Sequence, residues 1–160
     1  MPKDKFPVTQ AIRVLKNSGI NFTLHSYKYE ERGGTKVAAR ELNVDEHQVI
    51  KTLVMENEKR EPVVVLMHGD RQVSTKAFAR ALKAKTIRPC KPETAHKHTG
   101  YFVGGTSPLG SKKPLKVYFE TSIEDLPFIY INVGIKGLLA LLSPKELIRI
   151  IEAIPVNVAI

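Results

Sequence analysis

The chain has 160 residues, of which 42% are apolar and 26% charged, and this composition excludes a largely disordered protein because it can form a core. Its longest apolar runs, residues 63–67 and 137–142, are far shorter than the roughly 20 residues that cross a bilayer, and residues 1–5 lead into no apolar stretch of a signal peptide. We therefore expect one domain, residues 1–160, in the cytoplasm and not in a membrane. The net charge of +9 fits a polyanionic partner such as nucleic acid and a generic basic surface equally well.

Cysteine and histidine placement gives little support for a nucleophile or a metal centre. Cys90 is the single cysteine, so the chain forms no internal disulfide. Its basic neighbours could activate the thiol, although no motif places a histidine beside it. The five histidines lack the paired spacing of zinc sites, and His96 and His98 have no third ligand in view. We expect no metal and no cofactor.

Apolar spacing and capping residues divide the chain into helices and strands. Residues 7–19 carry an apolar stripe at helical spacing that ends in a glycine, and residues 21–29 alternate with a period of two, which indicates a strand. Further helices are predicted over residues 35–43, 74–82, 92–98 and 143–153, with a short helical turn from residue 45. Further strands are predicted over residues 50–55, 62–68, 86–88, 116–119, 128–132 and 137–142. The mixed order favours an α+β domain with one mostly antiparallel or mixed sheet and helices packed around it.

The most distinctive segment is residues 99–110 (TGYFVGGTSPLG), which contains four of the ten glycines. Glycines let a backbone approach a ligand closely and offer N–H groups to a carbonyl or phosphate oxygen. The segment lacks the Gly-Lys-Ser/Thr ending of a phosphate-binding P-loop, so a structural turn and a ligand loop both remain open. Lys112, Lys113 and Lys116 follow it, either as a solvated turn or as a contact for nucleic acid.

Lys51 lies where a charged side chain is unusual. Period-two counting along residues 49–55 places it on the same side of a strand as Leu53 and Met55, the face expected to be buried. A buried ammonium is costly unless it meets an anion or reaches a cleft. A lysine at a sheet edge can instead extend its head to water, so a functional and a structural role are both consistent with the pattern.

Three segments together resemble the YbaK/EbsC family, in particular the bacterial Cys-tRNA(Pro) deacylases: residues 49–54 (VIKTLV), 99–113 (TGYFVGGTSPLGSKK) and 129–137 (IYINVGIKG). A helix at residues 9–16 followed by a strand at residues 22–27 fits as well, so the resemblance covers nearly the whole chain. It implies an editing enzyme that acts in trans to hydrolyse mischarged aminoacyl-tRNA and is related to the editing domain of bacterial prolyl-tRNA synthetases. The implied fold has a mixed, strongly curved sheet and needs no metal or cofactor.

The resemblance also implies site residues. The essential lysine of the family falls on Lys51, which would contact the terminal ribose or phosphate, and the aromatic residue of the first strand falls on Tyr27, which would wall the amino-acid pocket. The N–H groups of Gly104 and Gly105 would orient the ester carbonyl. The other implied substrate-binding residues are Thr106, Ser107, Asn132 and Gly134. The lysines implied in tRNA binding are Lys112, Lys113 and Lys136.

Two departures from the family pattern stand out. Relatives usually carry SGGKRG where this chain has residues 132–137 (NVGIKG). Typical Cys-tRNA(Pro) deacylases also have a longer loop with a phenylalanine after the first strand, at the position where Gly34 aligns here. Because that loop borders the amino-acid pocket, the second departure bears on selectivity for cysteine rather than on deacylation.

The implied chemistry is assisted by the substrate, whose cysteinyl thiol attacks its own ester carbonyl and expels the tRNA 3′ end. The sequence contains no recognisable Ser-His-Asp or Cys-His set, in agreement with this implication. Two other functions stay open: a deacylase of another preference, such as Ala-tRNA(Pro), that uses water, and a module that binds tRNA or a synthetase without catalysis. The expected partners are an aminoacylated tRNA 3′ end and prolyl-tRNA synthetase.

Overall fold

The structure is a computed structural model that describes residues 6–160. It has an α+β fold with two sheets and five α-helices, which confirms the predicted fold class. The expectation about a signal peptide at residues 1–5 lies outside the described residues. Within the described range, no helix is long and apolar enough to span a membrane.

Eight strands and five helices follow one another in mixed order. The helices are α1 (Gln10–Ser18), α2 (Gly34–Leu42), α3 (Thr75–Leu82), α4 (Pro92–Thr99) and α5 (Pro144–Ile151). The strands are β1 (Phe22–Ser26), β2 (Ile50–Asn57), β3 (Pro62–His68), β4 (Ile87–Pro89), β5 (Val117–Glu120), β6 (Ile129–Asn132), β7 (Leu138–Leu142) and β8 (Ile154–Val156). Two 3₁₀ turns lie at Glu46–Gln48 and Thr121–Asp125.

The strands form two sheets that meet near the start of β2. One sheet has the order β1-β7-β6 and is antiparallel throughout. The other has the order β4-β2-β3-β5-β8, in which β2 pairs antiparallel with β3 and β4, while β3, β5 and β8 run parallel. A parallel bridge between Val49 and Tyr130 joins the two sheets. The first residues of β2 therefore lie beside β6, at the junction of the sheets.

The helix ends follow local sequence signals. The side chain of Thr9 accepts a hydrogen bond from the N–H of Ile12 at the start of α1, and Gly19 ends that helix with φ 78°. Ser74 and Ser143 cap α3 and α5 in the same way. The predicted helix at residues 7–19 and the predicted hairpin of residues 50–55 and 62–68 are confirmed.

The predictions of one sheet and of a last helix that continues to residue 153 are wrong. The helix ends at Ile151 because Glu152 takes a left-handed conformation with φ 51°. The chain then forms β8, a three-residue strand that pairs with β5. Buried Glu120 holds the residues after β8, since its Oε1 accepts hydrogen bonds from the N–H groups of Val158 (2.7 Å) and Ala159 (3.0 Å). A carboxylate that binds backbone 38 residues away leaves no local sequence signal.

Candidate functional site

A cleft of about 830 Å³ opens where the two sheets meet. Its walls come from both sheets, from the start of α2, and from the two glycine-containing loops that follow α4 and β6. Among the residues expected to form a site, those that line the cleft are Tyr27, Lys51, Gly104, Thr106, Asn132 and Lys136. The fold thus gathers residues that are up to 109 positions apart around one cavity of a size typical for small-molecule sites.

Lys51 reaches the cleft from the second position of β2. Its neighbour across the hairpin is Met67, so the lysine shares a face with buried apolar side chains, as the period-two pattern predicted. Among residues 6–160, its ammonium makes one hydrogen bond, a long one of 3.5 Å from Nζ to the carbonyl oxygen of Gly69. Burial lowers the pKa of Lys51, while the carboxylates of Glu46 and Asp70 partly offset that effect. The ammonium is half-buried and has N–H groups left for an anionic or carbonyl ligand.

The turn after β3 holds the surroundings of Lys51 in place. The Thr35 hydroxyl lies 2.8 Å from Glu46 Oε2 and 3.2 Å from the Gly69 carbonyl oxygen. A Cβ on Gly69 would lie 2.7 Å from both the Thr35 side chain and the Val49 carbonyl oxygen, so only glycine fits there. Thr35 belongs to the first turn of α2, whose positive dipole end therefore faces the cleft. Positive charge on one wall comes from both Lys51 and this helix end.

Two tyrosines form another part of the wall. Tyr27 packs with Ala38, Val49 and Leu139, and burial together with the nearby Tyr29 raises the pKa of its phenol. Tyr29, which the sequence analysis did not single out, also lines the cleft. Its hydroxyl oxygen would be 2.5 Å from a Cβ on Gly104, so it is in close contact with the glycine loop. Tyr29 continues the alternation of β1 by two residues beyond Tyr27, and this spacing is the signal that could have identified it.

The glycine loop of residues 101–110 is held by its own side chains. The buried Tyr101 hydroxyl donates a 2.7 Å hydrogen bond to the carbonyl of Leu109 and so closes the loop. Asn132 Nδ2 donates to the carbonyl of Gly104 at 3.1 Å, which ties this loop to the end of β6. Gly104 has φ 96°, a conformation that favours glycine. Its N–H has no acceptor among residues 6–160, whereas its carbonyl is already used.

Three other residues expected in the site are placed differently. The N–H of Gly105 donates to the carbonyl of Phe102 at 3.0 Å and is therefore occupied within the turn. Ser107 is 1% exposed, and its hydroxyl accepts the N–H of Leu109 inside the loop rather than facing the cleft. Gly134 lies in a second, shallower depression of about 420 Å³, which Lys136 shares with the cleft. Gly105 and Ser107 are unavailable because the 101–110 loop uses their polar groups to stabilise its own turns.

The three lysines expected to bind tRNA fall into two groups. Lys136 lines the cleft, where its ammonium lies 3.1 Å from Glu31 Oε1 and 5.3 Å from the centre of the Tyr29 ring. Lys112 and Lys113 are exposed and lie outside the cleft, where their N–H groups bind the last carbonyls of α4. The Lys113 ammonium lies 3.5 Å from His98 Nδ1. These two lysines extend the basic end of α4 instead of contacting the cavity.

A family model for the aminoacyl-tRNA editing domain matches residues 30–150 of the chain. This range includes every residue that lines the cleft except Tyr27 and Tyr29. The chain belongs to the aminoacyl-tRNA editing domain family. Among curated relatives, EbsC of Enterococcus faecalis, provisionally named a Cys-tRNA(Pro)/Cys-tRNA(Cys) deacylase, is 24% identical over 89% of this chain and 87% of its own length. The proline–tRNA ligase of Ligilactobacillus salivarius is 34% identical over 59% of this chain, which spans 18% of that ligase.

Solved structures agree on the fold of this editing domain. The crystal structure of hypothetical protein APE2540 superposes with a TM-score of 0.87, at 21% identity, over 95% of this chain and all of the other. A structure provisionally described as a trans-editing enzyme for prolyl-tRNA synthetase superposes with a TM-score of 0.81, at 22% identity, over 95% and 98% of the two chains. The family model and the similarity to EbsC confirm the family resemblance found in the sequence, and these structures confirm the fold.

The editing-domain cleft offers no conventional nucleophile among the described residues. No serine or histidine lines it, and its one cysteine, Cys90, is held in the thiol form. Burial and the neighbouring Glu56 carboxylate, 3.6 Å from Sγ, raise the pKa of Cys90 to about 12, which overrides the activation by Arg88 considered from the sequence. Residues 6–160 also contain no cluster of three or more potential metal ligands.

One polar group in the cleft wall has no partner. The buried hydroxyl of Thr52 makes no hydrogen bond to any residue between 6 and 160, and it is the single buried side-chain polar atom of that range with this property. Thr52 lines the cleft from β2, directly after Lys51. The hydroxyl oxygen is itself buried, so it is not exposed to a ligand in the cleft. Because buried polar groups are nearly always paired, this unpaired hydroxyl is a cost to the folded chain, and a threonine in a strand gives no sequence signal of it.

Proposed function

We propose that this editing domain deacylates tRNA(Pro) that is mischarged with cysteine, and that Cys-tRNA(Cys) is a second substrate. The observation that carries the proposal is a cleft with a half-buried cation, Lys51, and a free backbone donor at Gly104, in which no serine or histidine is found among the described lining residues and the one cysteine, Cys90, stays a thiol. Such a site can orient and polarise an ester, while the attacking group must come from the substrate or from water. The provisional name of EbsC supports cysteine as the amino acid.

In the proposed step, the thiol of the cysteinyl group attacks the ester carbonyl of the same residue. A bond forms between sulfur and the carbonyl carbon, the bond to the ribose oxygen breaks, and the thiol proton passes to that oxygen. The tRNA leaves with a free hydroxyl, and the four-membered thiolactone then reacts with water to give cysteine. Lys51 would hold the terminal ribose or its phosphate, and the Gly104 N–H would stabilise the negative charge on the carbonyl oxygen.

The remaining site residues have distinct proposed roles. Tyr27 and Tyr29 would wall the side-chain pocket, and Thr106 and Asn132 would keep the Gly104 loop in position. A Cβ on Gly34 would meet no atom within 4 Å, so the pocket is open at the position where typical Cys-tRNA(Pro) deacylases carry a longer loop. We propose that residues 1–160 act as one trans-editing domain on tRNA in the cytoplasm, with prolyl-tRNA synthetase as the partner that selects the tRNA.

The test is release of amino acid from tRNA(Pro) that is charged separately with cysteine, serine or alanine. Serine has the shape of cysteine but a far weaker nucleophile, so thiol assistance predicts that only the cysteine ester is cleaved. Efficient release of serine or alanine would contradict thiol assistance and favour a water-using deacylase of other preference. Binding of tRNA without release of any amino acid would contradict catalysis and leave a tRNA-binding module.

A further inference from the structure

An exposed aromatic side chain lies directly beside the cleft. Phe102 is 68% exposed and its neighbour Val103 is 56% exposed. Val103 lines the cleft, whereas Phe102 lines the adjoining depression together with Gly105, Ile135 and Lys136. Large apolar side chains this exposed next to a binding site need an explanation, because their burial by a ligand is favourable.

The Phe102 ring is fixed in place from behind. The His96 ring stacks on it with centroids 4.2 Å apart and planes 14° from parallel. His96 is itself oriented by Nδ1, which lies 3.1 Å from the carbonyl oxygen of Tyr101. The Phe102 carbonyl accepts hydrogen bonds from the Gly105 N–H and from the Thr106 hydroxyl. One face of the ring is therefore covered, and the exposed area belongs to a rigid platform.

We propose that the free face of Phe102 stacks with the terminal adenine of the tRNA acceptor end, an inference that rests on the proposed function. The amino acid to be released is esterified to the same ribose that carries this base. When the ester carbonyl lies at the Gly104 N–H, the base must lie within a few ångströms of that glycine but outside the amino-acid pocket. Phe102 is two residues from Gly104, so their Cα atoms are at most about 7 Å apart. The adjoining depression of about 420 Å³ gives the base room.

Positive charge continues from this platform along the C-terminal end of α4. His96 belongs to the last turn of α4, where Lys97 and His98 follow it. Lys113 binds against His98, and both Lys113 and Lys97 are close enough to help lower the pKa of that histidine, although burial is the larger cause. Aromatic stacking beside cations that can contact phosphates is the usual arrangement for single-stranded nucleic acid. The order of ester site, aromatic ring and basic cluster matches an aminoacylated nucleic acid, whereas nothing in it is specific for a protein partner.

The experiment uses an uncharged acceptor-stem hairpin in which 2-aminopurine replaces the terminal adenine, because stacking quenches its fluorescence. Wild-type protein and Phe102→Tyr are expected to quench the probe. Phe102→Ala is expected to lose the quenching and to bind about tenfold more weakly or worse, as base stacking on an aromatic ring implies. Since the Phe102 side chain is exposed, the melting temperature of Phe102→Ala should match that of the wild type.

Phe128→Ala is the matched control, because Phe128 is 41% exposed but lies at the start of β6, outside both the cleft and the depression. It should quench and bind like the wild type. The stacking site would be overturned if Phe102→Ala quenched the probe as strongly as the wild type, or if Phe128→Ala lost quenching as much as Phe102→Ala. It would also be overturned if the wild type did not bind the hairpin at low salt. Deacylation of charged tRNA, measured in parallel, separates the two proposals: turnover without dependence on Phe102 refutes only the stacking site, while Phe102-dependent quenching without turnover refutes only the editing reaction.

Discussion

Replacement of Thr52 by valine should make the protein more stable without changing its activity. The Thr52 hydroxyl is buried in the cleft wall without a partner among residues 6–160. An unpaired buried hydroxyl costs about 1–3 kcal/mol, and valine has nearly the same shape without the polar atom. We therefore expect the free energy of unfolding to rise by about 1 kcal/mol. For a chain of 160 residues this corresponds to a melting temperature about 2–4 °C higher.

Activity should stay the same, because the hydroxyl oxygen is buried and is not exposed to a ligand in the cleft. The kcat/KM of Thr52→Val for deacylation should therefore match that of the wild type. Both quantities can be measured on one preparation, by thermal denaturation and by single-substrate deacylation assays. A lower melting temperature would refute the reasoning that the unpaired hydroxyl is costly, and a lower kcat/KM would contradict its burial away from the ligand.

Thr99→Val is the matched control for this substitution. Thr99 is also buried, but its hydroxyl donates to the carbonyl of Ala95 at 2.9 Å and accepts the N–H of Tyr101 at 3.1 Å. Valine at this position leaves the buried N–H of Tyr101 unpaired, so the melting temperature should fall. If the two variants shift in the same direction, the unpaired state of Thr52 is not the cause.

Two further predictions concern titratable groups. Burial lowers the pKa of His68, which lies between His47, Ser122 and the charges of Asp70 and Glu120, so the unfolded chain takes up a proton near its ordinary pKa of about 6.5 before the folded chain does. The free energy of unfolding should therefore fall as the pH drops below about 6.5. His68→Gln should flatten this dependence in melting curves, whereas equal slopes would contradict the assignment. With a pKa of about 12, Cys90 should be a thiolate in only about one molecule in ten thousand at pH 8. Iodoacetamide should therefore label the native protein far more slowly than the unfolded protein. Equal labelling rates would contradict the burial of Cys90 beside Glu56.

Local patterns predicted most of the fold, and the failures have a common physical origin. Capping by Thr9, Ser74 and Ser143 and the alternation in the β2–β3 hairpin act within a few residues, so they can be seen in the sequence. The arrangement of the two sheets involves the parallel bridge between Val49 and Tyr130, which is 81 positions later in the chain. Strand β8 depends on its pairing with β5 and on Glu120. Contacts between distant segments leave no periodic signal.

The candidate site was predictable to a similar extent. The period-two pattern placed Lys51 on the buried face of a strand, where the structure has it. The occupied N–H of Gly105 and the inward hydroxyl of Ser107 result from hydrogen bonds inside the glycine loop, which a motif cannot distinguish from ligand contacts. Thr52 and Phe102 acquire their significance from what surrounds them, an absence of acceptors for one and a covered ring face for the other.

The central claim is that Lys51 holds the terminal ribose or phosphate of cysteinyl-tRNA(Pro) so that the aminoacyl ester is cleaved, and Lys51→Ala tests it most directly. The control is Lys59→Ala, since Lys59 is an exposed lysine in the turn at the far end of the same hairpin. We expect wild type and Lys59→Ala to release cysteine but not serine or alanine, and Lys51→Ala to lose at least about 100-fold in rate while its melting temperature does not fall. Cysteine release by folded Lys51→Ala at the wild-type rate would contradict the account.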